Sequence, residues 1–218
     1  MNPLISIIIP TRNRCQFLKD AIESIYVNEF SKEKFEVIVV DNNSNDETKK
    51  ICDSLKSIHK NLFYFFEPRN GLLFGRHKGL EESQGNILIY IDDDVLVTKK
   101  WLETYEKIFS GDSQIVLAGG NNLPKYEGKV PEWENSLWKS CSYGRYLSEY
   151  SLIDFNTLKQ EVAPQFFYGC NFAIRRQFLI DCKMHATLDL NPPKTVTHIH
   201  IAYDTKMIFR TPNYKAYT

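Results

Sequence analysis

The chain has 218 residues, of which 43% are hydrophobic, and its 27 basic and 27 acidic side chains give a formal net charge of zero. This length can bury one substantial core, so we expect a single domain. The balanced charge gives no general attraction for nucleic acid, and no stretch approaches the ~20 apolar residues of a membrane span. Five cysteines without CxxC pairing indicate neither a zinc site nor a disulfide framework, so a cytoplasmic location is expected.

Short apolar runs alternate with amphipathic segments over the first 120 residues. Runs rich in β-branched and aromatic side chains predict strands, whereas apolar positions that recur on one face predict helices. The predicted strands are 4–9, 35–40, 62–66, 87–91 and 115–118, and the predicted helices are 15–27, 72–83, 99–109 and one through residue 59 that Ser44 or Asp46 caps. This alternation predicts an α/β fold with a doubly wound, mostly parallel sheet and right-handed connections.

The run 87–91 ends abruptly in three carboxylates, Asp92, Asp93 and Asp94. In an open parallel sheet, ligands bind beyond the carboxyl ends of the strands. Adjacent carboxylates repel one another and lose hydration there, so they need a compensating cation, and an all-oxygen ligand set favours Mg²⁺ or Mn²⁺. Such an ion keeps waters and binds substrate phosphates, which makes a diphosphate the natural partner. The alternative is a solvated acidic turn that opens the next helix.

Polar clusters follow three of the predicted strands, at 11–14, 41–46 and 92–94. Because the carboxyl ends of parallel strands share one edge of the sheet, the three clusters should meet. A purely structural edge has no reason to collect acids and arginines three times. The sequence therefore favours a nucleotide site over a set of ordinary loops.

The second half of the chain has a weaker pattern. Between residues 121 and 164, the periodic signal fades into a segment rich in Gly, Pro and aromatic residues, which could be a mobile flap or a surface excursion. Residues 166–174 predict a strand in which Gly169 allows a close approach. The tail, 202–210, has the pattern of a short amphipathic helix that contains Asp204.

Several short motifs occur in an order that is typical of one enzyme family. They are the IPTRNR stretch at 9–14, VVDNNSNDET at 39–48, Asn70-Gly71 with Gly75-Arg76 and Gly79, the DxD-type signature at 92–94, GCNFAIRR at 169–176 and Tyr203-Asp204-Thr205. With these motifs the chain resembles the family 2 inverting glycosyltransferases, which have the Rossmann-like A-type nucleotide-diphospho-sugar transferase fold. Each motif alone is weak, but their order is specific, and the resemblance covers nearly the whole chain.

The resemblance implies a nucleotide-diphosphate sugar, most simply a UDP-sugar, as donor and Mn²⁺ or Mg²⁺ as cofactor. It implies that Asp94, together with Asp92, binds the metal, which assists departure of the diphosphate. The donor-binding residues that it implies are Pro10, Thr11, Asn13, Arg14, Asp41, Asn43, Arg76, Asp92 and Asp93. Asp41 would accept a hydrogen bond from the base, since a carboxylate is only an acceptor. For Arg76, an exposed helix charge is the alternative.

Inversion by direct displacement needs a base that deprotonates the acceptor hydroxyl on the face opposite the leaving group. The resemblance makes Asp204 the candidate for this base, and an ordinary helix N-cap is the alternative. The chain departs from the family pattern in this region. Tyr203 replaces the usual Glu, Pro192 and Pro193 force an extended path ahead of it, and the chain ends soon after Arg210.

We expect residues 1–120 to form the nucleotide-sugar-binding part and residues 121–218 the acceptor-side part of the same domain, shortened at its C-terminus. The implied acceptor is a glycan or a lipid-linked molecule in cell-surface polysaccharide synthesis. A lipid-linked acceptor would bring such an enzyme to the inner face of a membrane as a peripheral protein, without a span of its own.

Two other functions stay open. A non-catalytic nucleotide-sugar-binding or interaction module would fit the altered region around Tyr203. Nucleotidyl transfer to a sugar phosphate shares the sheet edge and the metal. The Gly-rich loop that this second chemistry uses after the first strand is missing at 11–14, where there is no glycine.

Overall fold

The structure, a computed structural model, describes residues 3–126, 128–156, 162 and 166–180, with the backbone alone at 181 and 199–210. The described strands are β1 (Ile5–Thr11), β2 (Phe35–Asp41), β3 (Leu62–Phe66), β4 (Ile87–Ile91), β5 (Val95–Val97), β6 (Leu117–Lys125), β7 (Lys139–Cys141), β8 (Gly144–Leu147), β9 (Leu152–Phe155), β10 (Asn171–Arg175) and β11 (Ile199–Arg210). The described α-helices are α1 (Cys15–Tyr26), α2 (Thr48–Ile58), α3 (Leu72–Glu82), α4 (Trp101–Gly111), α5 (Glu134–Leu137) and α6 (Arg176–Asp181). None of these helices is long and apolar enough to cross a membrane.

The described strands join one sheet, in the order β3-β2-β1-β4-β10-β6-β9-β8-β7, with β11 pairing with β5 and β6 off this path. The first four strands are parallel to one another. Strand β10 runs antiparallel to both of its neighbours, β4 and β6. The predicted α/β sheet is confirmed. Its parallel pairing is concentrated in β1 to β4, whereas β7, β8 and β9 follow one another through short connections and therefore pair antiparallel.

The central strands are buried on both faces because helices cover both sides of the sheet. Every residue of β1, β2 and β4 is buried. Alternate side chains enter two separate cores. Ile7 and Ile9 pack in the core that contains α1 and α4, while Ile8 packs on the other face with Leu179 of α6. Burial on both faces explains why these strands read as near-continuous apolar runs in the sequence.

Two predicted segments differ from the structure. The strand predicted at 166–174 begins only at Asn171, because a turn occupies residues 169–170. The helix predicted at 202–210 is wrong, since β11 runs through these residues and pairs with β6 and β5. Pairing with two distant strands outweighs the local helical pattern.

The segment that follows residue 121 is more regular than its sequence pattern suggests. Strand β6 continues to Lys125, and β7, β8 and β9 add an antiparallel meander to the sheet. The described part of this segment therefore extends the sheet. Pro192, Pro193 and the residues after Arg210 lie outside the part of the chain that the structure describes.

Helix α3 packs unusually close to β1 because two of its residues are glycines. A Cβ at Gly79 would overlap the Cγ2 of Ile8, and a Cβ at Gly75 would lie 3.0 Å from the Cβ of Pro10. Both glycines are buried. This close packing sets the distance between α3 and the carboxyl end of β1. It therefore fixes the position of Arg76 at the edge of the sheet.

Replacing Gly79 by Ala should destabilise the protein by about 1–3 kcal/mol, because the added methyl group has no room beside Ile8. Urea unfolding followed by circular dichroism measures the change. Gly111→Ala is the matched control, since a Cβ at Gly111 meets nothing within 4 Å. Equal unfolding free energies for the two variants would contradict this account of the packing.

Candidate functional site

The loops after β1 and β2 are tied together by hydrogen bonds. The backbone N–H of Asn13 donates to Ser44 Oγ at 3.0 Å, and Asn13 Oδ1 accepts from the N–H of Asn45 at 2.7 Å. The N–H of Cys15 donates to Asp46 Oδ2 at 3.0 Å. Asn13 has a φ of 54°, in the left-handed region that Asn tolerates better than most residues. The first two polar clusters of the sequence therefore form one connected rim.

The carboxylates after β4 contact this rim. Asp93 is 3% exposed, and Thr11 Oγ1 donates to its Oδ2 at 2.6 Å. Arg14 spans two of the acids, with Nη1 2.9 Å from Asp93 Oδ1 and Nη2 2.5 Å from Asp94 Oδ2. The end of β1 and the loop after it thus supply both a neutral donor and a cation to the acids at the end of β4.

Burial governs the electrostatics of this acidic cluster. It raises the pKa of Asp93 to about 6, although the Arg14 guanidinium opposes the change. Burial also raises the pKa of Asp92, against the attraction of Arg76. Burial alone would lower the pKa of Arg14, but Asp93 and Asp94 outweigh it and raise that pKa. The cluster therefore depends on neighbouring cations to remain charged.

Arg76, on α3, is the second cation at the cluster. Its Nη2 donates to the carbonyl oxygen of Gly169 at 2.8 Å and lies 3.4 Å from Asp92 Oδ1. A Cβ at Gly169 would come within 2.6 Å of Arg76 Nη2, so any side chain there would displace the guanidinium. The side chain of Arg76 is only 14% exposed, which excludes the alternative of a solvated helix charge.

Asp41 is buried behind the rim. Its Oδ1 accepts from the N–H of Ser44 at 2.8 Å, and its Oδ2 accepts from the hydroxyl of Tyr64 at 2.7 Å. Asn43 has a φ of 65°, and its Nδ2 donates to Asn70 Oδ1 at 3.2 Å. Both residues shape the loop after β2 in this structure.

The turn before α3 is held in place by Asn42 and Glu67. Asn42 Oδ1 accepts from the N–H of Gly71 at 2.6 Å, and its Nδ2 donates to the carbonyl oxygen of Arg69 at 2.5 Å. Glu67, which is 2% exposed, accepts from Arg69 Nε at 2.7 Å and Nη2 at 2.8 Å. The hydrogen bonds from Arg69 lower the pKa of Glu67 to about 2.

A cavity of about 320 Å³ lies where these loops meet the end of β4. Its wall consists of Pro10, Thr11, Arg12, Arg14, Asn42, Gly71, Leu72, Asp92 and Asp93. The wall therefore includes five of the nine residues predicted to bind the donor, namely Pro10, Thr11, Arg14, Asp92 and Asp93. The other four, Asn13, Asp41, Asn43 and Arg76, support the wall from outside it.

Four of the wall residues, Arg12, Asn42, Gly71 and Leu72, were not predicted to bind the donor. Arg12 and Asn42 lie inside polar clusters at strand ends, and this position is a signal that could have identified them. Gly71 has a φ of 138°, and its Asn-Gly dipeptide is a turn signal. Leu72 is 50% exposed, and a single exposed leucine has no distinguishing pattern in a sequence.

Asp92 and Asp94 offer only oxygen ligands to a cation, and arginines contact both of them. Among the described side chains, no group of three or more His, Cys, Asp or Glu residues is arranged to hold a metal ion. A hard cation such as Mg²⁺ commonly takes one or two carboxylates and completes its shell with water and phosphate oxygens. The chemistry of this donor set fits such an ion.

The candidate base, Asp204, lies on β11, of which the structure describes the backbone. Ala202 is opposite Gly120 of β6, and Met207 is opposite Asn122, so the register shifts between the two pairs. Residue 204 is within this irregular stretch. Because β11 is a strand here, the alternative of a helix N-cap is excluded.

The sheet register relates this irregular stretch to the acidic cluster. Phe172 of β10 is opposite both Tyr90 of β4 and Gly119 of β6. The residues that follow Gly119 are therefore level with the acids that follow Tyr90. Strand β11 also pairs with β5, where Phe209 is opposite Val95, the residue after Asp94.

A family model for glycosyl transferase family 2 matches residues 6–182. The chain belongs to this family. The family 2 chain is also 30% identical, over an alignment of 220 positions, to the GalNAc(5)-diNAcBac-PP-undecaprenol beta-1,3-glucosyltransferase of Campylobacter jejuni, and the match covers 95% of this chain and 66% of the relative. Across three curated relatives, the family 2 chain spans 29% to 66% of the relative's length.

Solved structures have the same fold as this family 2 chain. Staphylococcus aureus TarS, solved with UDP-GlcNAc, gives a TM-score of 0.72 at 18% identity, covering 100% of this chain and 62% of that one. Mannosyltransferase PcManGT of Pyrobaculum calidifontis, solved with GDP-Man and Mn²⁺, gives 0.70 at 19% identity, covering 99% and 59%. The predicted A-type glycosyltransferase fold is confirmed.

Replacing Glu67 by Gln should lower stability at neutral pH by about 1 kcal/mol, after allowance for the solvent exposure of Arg69. The pKa of Glu67 is lowered from 4.5 to about 2, so its contribution is present above pH 4.5 and is lost as the pH falls toward 2. The difference in unfolding free energy between wild type and E67Q should therefore shrink below pH 4.5. Urea unfolding across this range measures it.

Glu47→Gln is the control for this comparison, because Glu47 is 64% exposed and its partner Lys50 lies only three residues along the chain. Its effect on stability should be smaller than that of E67Q at neutral pH. A cost for E67Q that stays constant from neutral pH to about pH 3 would show that the ion pair with Arg69 is not its source.

Proposed function

We propose that this chain transfers a sugar from a nucleoside-diphosphate donor, most simply a UDP-sugar, to a hydroxyl group of a glycan or lipid-linked acceptor, with inversion at the anomeric carbon. The observation that carries the proposal is the cavity at the carboxyl edge of the sheet, whose wall combines two arginines with two aspartates. Guanidinium groups match phosphate oxygens, and carboxylates match sugar hydroxyls or a divalent cation. The bound ligands named for TarS and PcManGT support a donor of this class.

In the proposed donor site, Pro10 and Thr11 form the floor beside the nucleoside. Arg12 and Arg14 border the cavity and supply positive charge for the diphosphate. Asp41 is assigned to the base, whose N–H must reach it behind the wall, and each of its carboxylate oxygens has a lone pair beyond the one that its present partner uses. Asn13 and Asn43 support this side of the site by holding the two loops.

On the sugar side of the proposed site, Asp92 binds a hydroxyl of the ribose or the donor sugar. Arg76 orients Asp92 and links it to Gly169. Asp93 supports Asp92 and Asp94 in these roles, and Thr11 and Arg14 hold its carboxylate in place. These contacts keep the donor sugar at the edge of the sheet.

The proposed metal ligands are Asp94 and Asp92, whose oxygen donors fit Mg²⁺ or Mn²⁺. When bound there, the ion would draw negative charge from the departing diphosphate. The Mn²⁺ named for PcManGT supports this assignment.

We assign the role of base to Asp204. Direct displacement with inversion requires the proton of the acceptor hydroxyl to leave on the face opposite the diphosphate. The register that makes the bulge of β11 level with the acids of β4 supports this role. The proposed division of labour is donor binding by residues 1–120 and acceptor binding by residues 121–218. The acceptor named for the Campylobacter relative supports a role in cell-surface polysaccharide synthesis and peripheral association with the inner face of a membrane.

Calorimetry with UDP, dTDP, GDP and CDP, with and without Mn²⁺, tests the donor site. One diphosphate should bind in a metal-dependent way, and Asp94→Asn should weaken the metal-dependent part at least ~10-fold. Asp53→Asn, at an exposed helix position, is the control for loss of one carboxylate. Failure of all four diphosphates to bind would contradict the proposed donor site.

Replacing Asp204 by Asn should lower kcat by roughly 10²–10⁴ and change donor affinity by less than about twofold, because the base acts on the acceptor. Sugar transfer and slow donor hydrolysis measure kcat, and calorimetry measures donor affinity. Thr205→Ala is the control on the same strand. Normal turnover by D204N would remove Asp204 from the mechanism. Donor binding without turnover in the wild type, across a broad acceptor panel, would instead favour a non-catalytic binding module.

A further inference from the structure

Arg14 occupies Asp94, one of the two carboxylates that the proposed metal would use. Its Nη2 lies 2.5 Å from Asp94 Oδ2, and its Nη1 lies 2.9 Å from Asp93 Oδ1. Between described residues, the ion pairs that reach these two acids both come from Arg14. One guanidinium therefore bridges the two acids and offsets part of their negative charge.

A guanidinium and a divalent cation cannot both sit against the same oxygen of Asp94. Two like charges a few ångströms apart repel each other, and the low dielectric of this half-buried site strengthens the repulsion. A cation that takes Oδ2 of Asp94 must therefore move Arg14 away. The side chain has room to move, because it is 35% exposed and borders the cavity.

The cavity gives the displaced guanidinium a new partner. Arg14 belongs to the same wall as Arg12, in the space where the proposed donor places its diphosphate. A guanidinium binds phosphate oxygens as well as it binds carboxylates, with the same fork of N–H donors. A small movement would exchange an acid partner for a phosphate partner.

We propose that Arg14 is an exchangeable internal counter-ion that leaves Asp94 when a divalent cation binds there and then contacts the diphosphate of the donor. This inference rests on the proposed function. Arg14 is thus a positioning residue that couples the two ligands: the cation frees the guanidinium that the diphosphate needs, and the diphosphate removes the competitor of the cation. By linkage, each ligand then tightens the binding of the other by the same factor.

Mn²⁺ binding to the purified chain, measured by electron paramagnetic resonance of free Mn²⁺ with and without UDP, tests this exchange. Arg14→Met removes the competing cation, so it should bind Mn²⁺ alone about fivefold or more tightly than the wild type. The factor by which UDP tightens Mn²⁺ binding should shrink by a similar amount in R14M. Arg14→Lys keeps the charge but loses the two-pronged contact, and its Mn²⁺ affinity should lie between the two.

Arg12→Met is the matched control, because Arg12 borders the same cavity and is exposed, whereas the described ion pairs to Asp93 and Asp94 come from Arg14. It should change the affinity for Mn²⁺ alone by less than about twofold, since Arg12 is exposed and its charge is screened by water and salt. Circular dichroism confirms that each variant is folded, and R14K serves as the second variant if R14M does not fold.

The results separate failure of this inference from failure of the proposed function. Mn²⁺ affinity that D94N abolishes but R14M leaves unchanged or lowers would overturn the exchange and keep the metal site. An equal gain in R12M and R14M would also overturn it, because general electrostatics would then explain both. Absence of Mn²⁺ binding to the wild type, with and without UDP, would overturn the metal assignment and the exchange together.

Discussion

The structure depends on one electrostatic constraint, the burial of adjacent carboxylates at the end of a central strand. Asp92, Asp93 and Asp94 follow β4, where helices and loops limit their access to water. Burial raises the pKa of Asp93 and Asp92, because it makes the charged forms of these carboxyl groups less favourable. The loop after β1 places Arg14 beside these acids, and helix α3 places Arg76 there. Their positive charges offset the unfavourable burial of the carboxylates. The arrangement of Arg14 and Arg76 around the acids is thus a requirement of the fold as well as a feature of the site.

Backbone packing delivers these arginines to the acids. Gly75 and Gly79 let α3 lie close to β1, and this brings Arg76 to the edge of the sheet. Gly169 then leaves room for its guanidinium beside Asp92. On the other side, the hydrogen bonds of Asn13 hold the loop that carries Arg14. Glycines and loop hydrogen bonds therefore determine the geometry of the charged groups.

The first half of the fold could be predicted from sequence because burial on both faces leaves a local signal. The runs in β1, β2 and β4 are apolar at every position that the core requires, and the polar clusters after them meet at one edge. Strand β11 could not be predicted in the same way, since its local pattern favours a helix and only its pairing with β5 and β6 makes it a strand.

Part of the candidate site could also be predicted from the local signal of the buried strands, and part could not. Strand ends identified Thr11, Arg14 and Asp92, whereas Leu72 lines the cavity through a tertiary arrangement that has no local pattern. The contacts of Arg14 with the acids also depend on side-chain packing between two strands. The family 2 resemblance implied roles for individual residues, and the structure showed which of them line the cavity.

The position of β11 has a consequence for the order of folding. Strands β1 to β4 pair with one another and all lie within the first 91 residues, so this half of the sheet can become compact while later residues are still being made. β11 must close a loop of roughly a hundred residues to reach β5, which makes its docking a slow, late event governed by chain entropy. The strand that carries Asp204 therefore joins a sheet in which the carboxyl ends of β1 to β4 are already in place.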